Sequence, residues 1–218
     1  MSEPAREGIA DSLRRMLITG ELAPGLVSEA ELCNLLGCSR TPLREALRQL
    51  TYEHLIVLPP RKNVLIPQLG VLEFQQAHEA ARFVEGICVA LAAVRIDAQQ
   101  LEQMRDLIAR QRQANESRSF YDLAQLDCEF HVAIAKATAN RHFSDTAALL
   151  HGFFARFTFQ AYRAVGSADQ SIAEHAGIVE ALEKRDVQLA QQRLEEHTMK
   201  GGQRILAILG LGEEDQES

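Results

Sequence analysis

The sequence predicts a mostly α-helical protein in two parts: a winged helix-turn-helix over residues 1–70 and an all-α antiparallel bundle over residues 71–211. A short acidic tail, 212–218, completes the chain. Three observations predict this. Short amphipathic segments joined by glycine turns lead into a two-faced helix near residue 40; two apolar runs bracket a basic Pro-Pro-Arg-Lys-Asn turn; and from residue 71 onward apolar residues recur at helical spacing without strand-like alternation. At 218 residues the chain is long enough for two modest cores.

Ile9, Leu13, Met16 and Leu17 mark a first amphipathic helix, closed by Gly20 and a Leu22-Ala23-Pro24-Gly25 turn. A short second helix carries Leu32, Leu35 and Leu36 and stops at Gly37, a residue suited to the left-handed position after a helix. In the third helix Leu43, Ala46, Leu47 and Leu50 fall at i, i+3, i+4 and i+7 and form one stripe to bury. Arg40, Arg44 and Arg48 repeat every four residues on another face, Ser39 or Thr41 can cap the start, and Pro42 fits the first turn. A helix start lined with guanidinium groups suits a DNA major groove, where arginine pairs with guanine edges or phosphates. Beyond it, Leu55–Leu58 and Val64–Ile66 read as a hairpin whose tip, Arg61, Lys62 and Asn63, offers a second set of DNA contacts.

These residues, and above all the run Ser39-Arg40-Thr41-Pro42-Leu43-Arg44-Glu45-Ala46-Leu47, resemble the N-terminal domain of the GntR family of bacterial transcription regulators over residues 5–67. The resemblance implies a homodimer that places its recognition helices on double-stranded palindromic operator DNA. Three positions depart from the family pattern. Ala30 stands where an arginine is frequent, His54 where a glycine ends the recognition helix, and Asn63 where the wing commonly has glycine; histidine and asparagine tolerate positive φ better than most residues.

The net charge of −7 does not oppose DNA binding once it is divided. Of 23 Lys/Arg and 30 Asp/Glu, eight of each fall in residues 1–70, leaving 15 and 22 in the remainder, so the acidic excess lies wholly in the second part. No stretch approaches the ~20 apolar residues of a membrane span. The N-terminal segment lacks the apolar centre of a signal peptide, which predicts a cytoplasmic protein. Cys33, Cys38, Cys88 and Cys128 form no C-x-x-C pair and are expected as thiols.

In the second part the periodicity predicts six helices, at 71–95, 98–115, 119–138, 141–164, 168–184 and 186–209. Polar residues interrupt their apolar stripes. Asp127 and His131 share a face at i and i+4 beside Leu123, Phe130 and Ile134; His175 lies among Ile172, Ile178, Val179 and Leu182; His197 shares a face with Ala190 and Leu194. Each histidine taken singly reads as a core residue with a hydrogen-bond partner. Together, one carboxylate and three imidazoles directed inward suit a divalent metal: zinc first, with nickel or manganese as alternatives. His78, His142 and His151 carry no such signal.

The set resembles the FCD effector domain of the FadR subgroup, where an Asp-x-x-x-His helix and two later histidines about 22 residues apart bind metal. The six-helix count places it nearer the VanR-like branch. The resemblance extends to Arg82-x-x-Glu85: Arg82 shares a face with Gly86, Val89 and Ala93, which predicts that it points inward, and the resemblance implies that it helps to hold a small carboxylate effector; the structural alternative pairs Arg82 with Glu79 or Glu85. The function implied is a metabolite-responsive repressor. A metal-dependent enzyme acting on a small organic acid, and a constitutive DNA-binding protein with a structural metal, are the alternatives; the absence of a Glu-x-x-His pair weighs against the enzyme.

Overall fold

The computed structural model describes residues 8–59, 63–68 and 70–214. It divides into two compact units, Met1–Gln68 and Leu69–Ser218, each with its own core.

The first unit runs α1 (Ile9–Thr19), β1 (Gly25–Ser28), α2 (Glu29–Leu36), α3 (Arg40–Tyr52) and β2 (Asn63–Ile66). A capping box starts α2: the Ser28 hydroxyl accepts from the Glu31 N–H, and the Glu31 carboxylate accepts from the Ser28 N–H. Gly37, at φ 61°, ends it and sets the tight turn into α3. Leu13, Leu17, Leu32, Leu43, Leu47 and Leu50 interlock as the centre of this core. Arg14 of α1 clasps Glu53, just past α3, through two hydrogen bonds of 3.0 and 2.8 Å. His54 takes the left-handed conformation, φ 57°, at the position where glycine was the family expectation.

The wing differs from the predicted hairpin. β2 pairs antiparallel with β1, from Gly25 opposite Ile66 to Ser28 opposite Asn63, and residues 55–58 contribute only a bridge between Val57 and Leu65. Leu55 and Ile56 are both buried immediately after α3, which breaks the in-out alternation of a half-exposed strand. Asn63 heads β2, opposite Ser28 of β1. Arg61 and Lys62 lie outside the described residues.

The second unit is a bundle of α4 (Val71–Arg95), α5 (Ala98–Glu116), α6 (Phe120–Ala137), α7 (Arg141–Val165), α8 (Asp169–Glu183) and α9 (Val187–Glu214). All but the last lie within a residue of the predicted spans; α9 continues past the predicted end at 209 into residues assigned to the tail. Arg118, Ala139 and Arg185, at φ 54°, 52° and 54°, close three of the interhelical turns without glycine. Ala92 and Ala93 let α4 approach the bundle centre beside Phe130, Ile178 and Leu182, and a separate aromatic cluster gathers Phe74, Phe154 and Phe157. Among the described residues no helix is long and apolar enough to cross a membrane.

Candidate metal centre and ligand cavity

On the first unit, burial of the Leu43, Ala46, Leu47 and Leu50 stripe fixes which face of α3 remains outside. Ser39 occupies the N-cap position without a side-chain capping bond, and Ser39, Arg40, Thr41, Arg44 and Arg48 are all exposed. Arg44 is engaged: its Nε lies 3.1 Å from a carboxylate oxygen of Glu29 in α2.

In the second unit three helices bring the predicted metal residues together. Asp127 and His131 come from α6, His175 from α8 and His197 from α9, and all four are buried. Nε2 of His197 lies 3.2 Å from Nε2 of His175 and 3.3 Å from Nε2 of His131. Oδ1 of Asp127 lies 3.6 Å from Nε2 of His175 and accepts a 2.8 Å hydrogen bond from the Tyr162 hydroxyl. Ligand atoms at tetrahedral positions around zinc, with Zn–N near 2.0–2.1 Å, stand about 3.3 Å apart, so the nitrogen spacing fits one ion.

The far sides of the rings support this. Nδ1 of His175 donates to Gln111 at 2.9 Å and Nδ1 of His197 to Glu174 at 2.8 Å. Placing the proton on Nδ1 leaves a lone pair on Nε2, the tautomer that ligation needs. Burial, reinforced by the charges of His197 and His131, pushes His175 well below the usual histidine pKa and keeps it neutral.

His131 has a different outer partner, one that the sequence reading missed. Its Nδ1 lies 2.5 Å from Oε1 of Glu85 in α4, off the axis of a good hydrogen bond, and His151 in α7 donates to the same oxygen at 2.8 Å. The His131 and His151 rings stack at 4.1 Å. Burial opposes charge on both Glu85 and His131, yet their proximity prevails, lowering the Glu85 pKa well below its usual value and raising that of His131. These three residues form a second potential ligand group, but contacts of 2.5 and 2.8 Å are hydrogen-bond and ion-pair lengths, shorter than the spacing of atoms around a shared ion. Glu85 therefore acts as an outer acceptor. The signal for His151 was its face: Phe154, Ala155 and Thr158 follow at i+3, i+4 and i+7.

Arg82 does not point inward. It is exposed, bonds Glu195 of α9 at 2.9 Å and faces a separate cleft, while Glu85, three residues on, is buried. The arginine that lines the histidine cavity is Arg204 of α9, which contacts Ser171 at 3.4 Å and Glu174 at 3.3 Å. That cavity, of about 300 Å³, has Asp127, His131 and His197 in its wall.

An arginine-faced winged helix-turn-helix joined to a helical bundle defines a DNA-binding transcription regulator with a second, all-helical unit. Residues 5–66 match the bacterial regulatory proteins of the gntR family, and residues 76–199 match the FCD domain. The chain belongs to the gntR family and carries an FCD domain. It is 24% identical to the HTH-type transcriptional repressor RspR of Escherichia coli over 95% of this chain and 91% of that protein. It is 30% identical to an HTH-type regulator from an unstable DNA locus of Streptomyces ambofaciens, over 88% and 81%. Among solved structures, E. coli McbR/YncC superposes with a TM-score of 0.78 at 23% identity, covering 94% of this chain and 96% of that one.

Proposed function

We propose that the protein is a homodimeric, cytoplasmic repressor whose affinity for a palindromic operator is set by a small carboxylate bound beside a divalent metal. Asp127, His131, His175 and His197 hold the ion, zinc by preference, with nickel or manganese as alternatives. The observation that carries this reading is the convergence of three buried Nε2 atoms, two of which, on His131 and His197, belong to residues in the wall of a cavity. The metal supplies a Lewis-acidic position for a carboxylate oxygen. Arg204, rather than Arg82, is the cation placed to receive the other oxygen.

Ser39, Arg40, Thr41, Arg44 and Arg48 read the major groove, and the wing residues Arg61, Lys62 and Asn63 add contacts to the DNA. Dimerisation finds support in α4, where Leu72, Phe83, Ile87 and Val94 form an exposed apolar stripe at spacings of about three, one and two turns. The name of RspR favours repression as the sign of control. The effector changes operator affinity only through its different affinity for the DNA-competent and incompetent arrangements.

The test is an operator shift assay with the metal-loaded chain, selecting the operator from random duplexes. Release of DNA by a small acid, lost in His197→Ala, supports the sensor; shifts indifferent to every acid leave a structural metal beneath a constitutive DNA-binding unit.

A further inference from the structure

We infer that the ligand of the histidine cavity is a monocarboxylic acid with a compact apolar body, best filled by a single aromatic ring. This rests on the proposed carboxylate-sensing role and narrows it.

The polar means of recognition are concentrated at one edge of the histidine cluster. From His197 the contacts run to Glu174 and on to Arg204 and Ser171. Arg204 is the only arginine or lysine among the described lining residues. From the other edge the contacts run from His131 to the stacked His151 and then to Phe154, whose ring meets Phe74 edge-on at 5.8 Å. His78 stacks on Phe74 at 5.3 Å, and Ala81 and Ile205 complete the same apolar wall.

Several polar groups that reach this wall are already engaged. Nε2 of His78 donates to the Thr198 carbonyl at 3.0 Å, the Thr198 hydroxyl donates within its own helix, and the Tyr162 hydroxyl donates to Asp127. A second carboxylate lying against Phe74 and Phe154 would be desolvated without a cation, and a polyhydroxylated chain would leave hydroxyls unpaired. An apolar body meets neither penalty, and a planar ring can pack edge-to-face against Phe74 and Phe154.

Size agrees with this. An apolar cavity of about 150 Å³ takes up benzene, so about 300 Å³ accommodates one ring together with its carboxylate head. Gly202 helps to shape the slot, because a Cβ there would stand 2.7 Å from the His78 ring.

The experiment is calorimetric titration of the zinc-loaded full-length chain with benzoate, phenylacetate and cinnamate, against succinate and gluconate. The expected result is binding of at least one aromatic acid about tenfold or more tighter than succinate or gluconate. Tighter binding of succinate or gluconate overturns the apolar-body inference while leaving the carboxylate site intact. No binding of any of the five acids to the zinc-loaded protein overturns this inference and the proposed carboxylate sensing together. Ala81→Leu, which narrows the apolar wall away from the ligand nitrogens, should weaken aromatic-acid binding by about tenfold with zinc content and melting temperature retained. Undiminished binding in that folded, zinc-loaded variant places the ring elsewhere and overturns the inference.

Discussion

Nε2 of His175 and Nε2 of His197 face each other across 3.2 Å inside the bundle, while each ring directs its Nδ1 proton outward, to Gln111 and Glu174. Two lone pairs so placed repel unless a proton or a cation stands between them. Protein purified without chelator or histidine tag should therefore hold about one divalent metal per chain. His175→Ala should lose the metal and melt about 5–10 °C lower when free metal in the reference sample exceeds its Kd about 100-fold. A metal-free native protein of equal stability would remove the metal site.

Glu85 accepts from His151 and sits against Nδ1 of His131, so one buried carboxylate orients the ring of a proposed ligand. Glu85→Gln keeps the shape but removes the charge. Metal affinity should fall about 10- to 100-fold, the usual effect of losing an outer partner of a histidine ligand. Competition with a chromogenic chelator measures this, and an unchanged Kd would show that Glu85 serves packing alone.

The bundle was more legible in sequence than the wing because helical periodicity repeats over many turns, whereas a four-residue strand offers two inward positions. Five of the six bundle helices lie within a residue of their predicted spans, even though Arg118, Ala139 and Arg185 close turns without glycine. β1 went unseen because its four residues, Gly25–Ser28, follow a Pro-Gly turn and are partly exposed throughout. Asp127, His131, His175 and His197 stood out because each interrupts an apolar stripe. Glu85 and Arg82 were harder to rank, since three residues separate them and only packing decides which faces inward.

Arg44 is held by Glu29, at 3.1 Å from its Nε. Engagement with DNA requires that contact to be exchanged for a base edge or phosphate. Arg44→Ala should weaken specific operator binding by about 1–3 kcal/mol if the side chain reads a guanine. Glu29→Gln should strengthen binding, because it frees the guanidinium and removes a negative charge beside the groove. Fluorescence anisotropy over a salt series separates the cases, and unchanged affinity in Arg44→Ala would refute the groove assignment.

The capping box gives the winged unit an acid limit. Backbone and hydroxyl hydrogen bonds from Ser28 hold the Glu31 pKa below its usual value. A carboxyl with a depressed folded-state pKa contributes stability above its unfolded value, near 4.3, and loses that contribution as pH falls through the folded value. Amide exchange in α2 should therefore be slower in the parent than in Glu31→Gln above about pH 4.3, with the difference shrinking below it. A difference independent of pH would assign the effect to helix propensity.

Phe83 and Ile87 lie one turn apart on the outer face of α4, and Leu72 and Val94 continue their stripe in both directions. A twofold interface presents the same patch from both subunits, so a single substitution introduces two charges into it. Phe83→Glu should convert the proposed dimer to a monomer at micromolar concentration, measured by sedimentation. Its metal content should remain, because the stripe lies opposite the inner face that carries Glu85. Binding to a full palindrome should fall far more than binding to an isolated half-site, since the second recognition helix would no longer be tethered to the first. A Phe83→Glu protein that stays dimeric would place the interface on another face of the bundle.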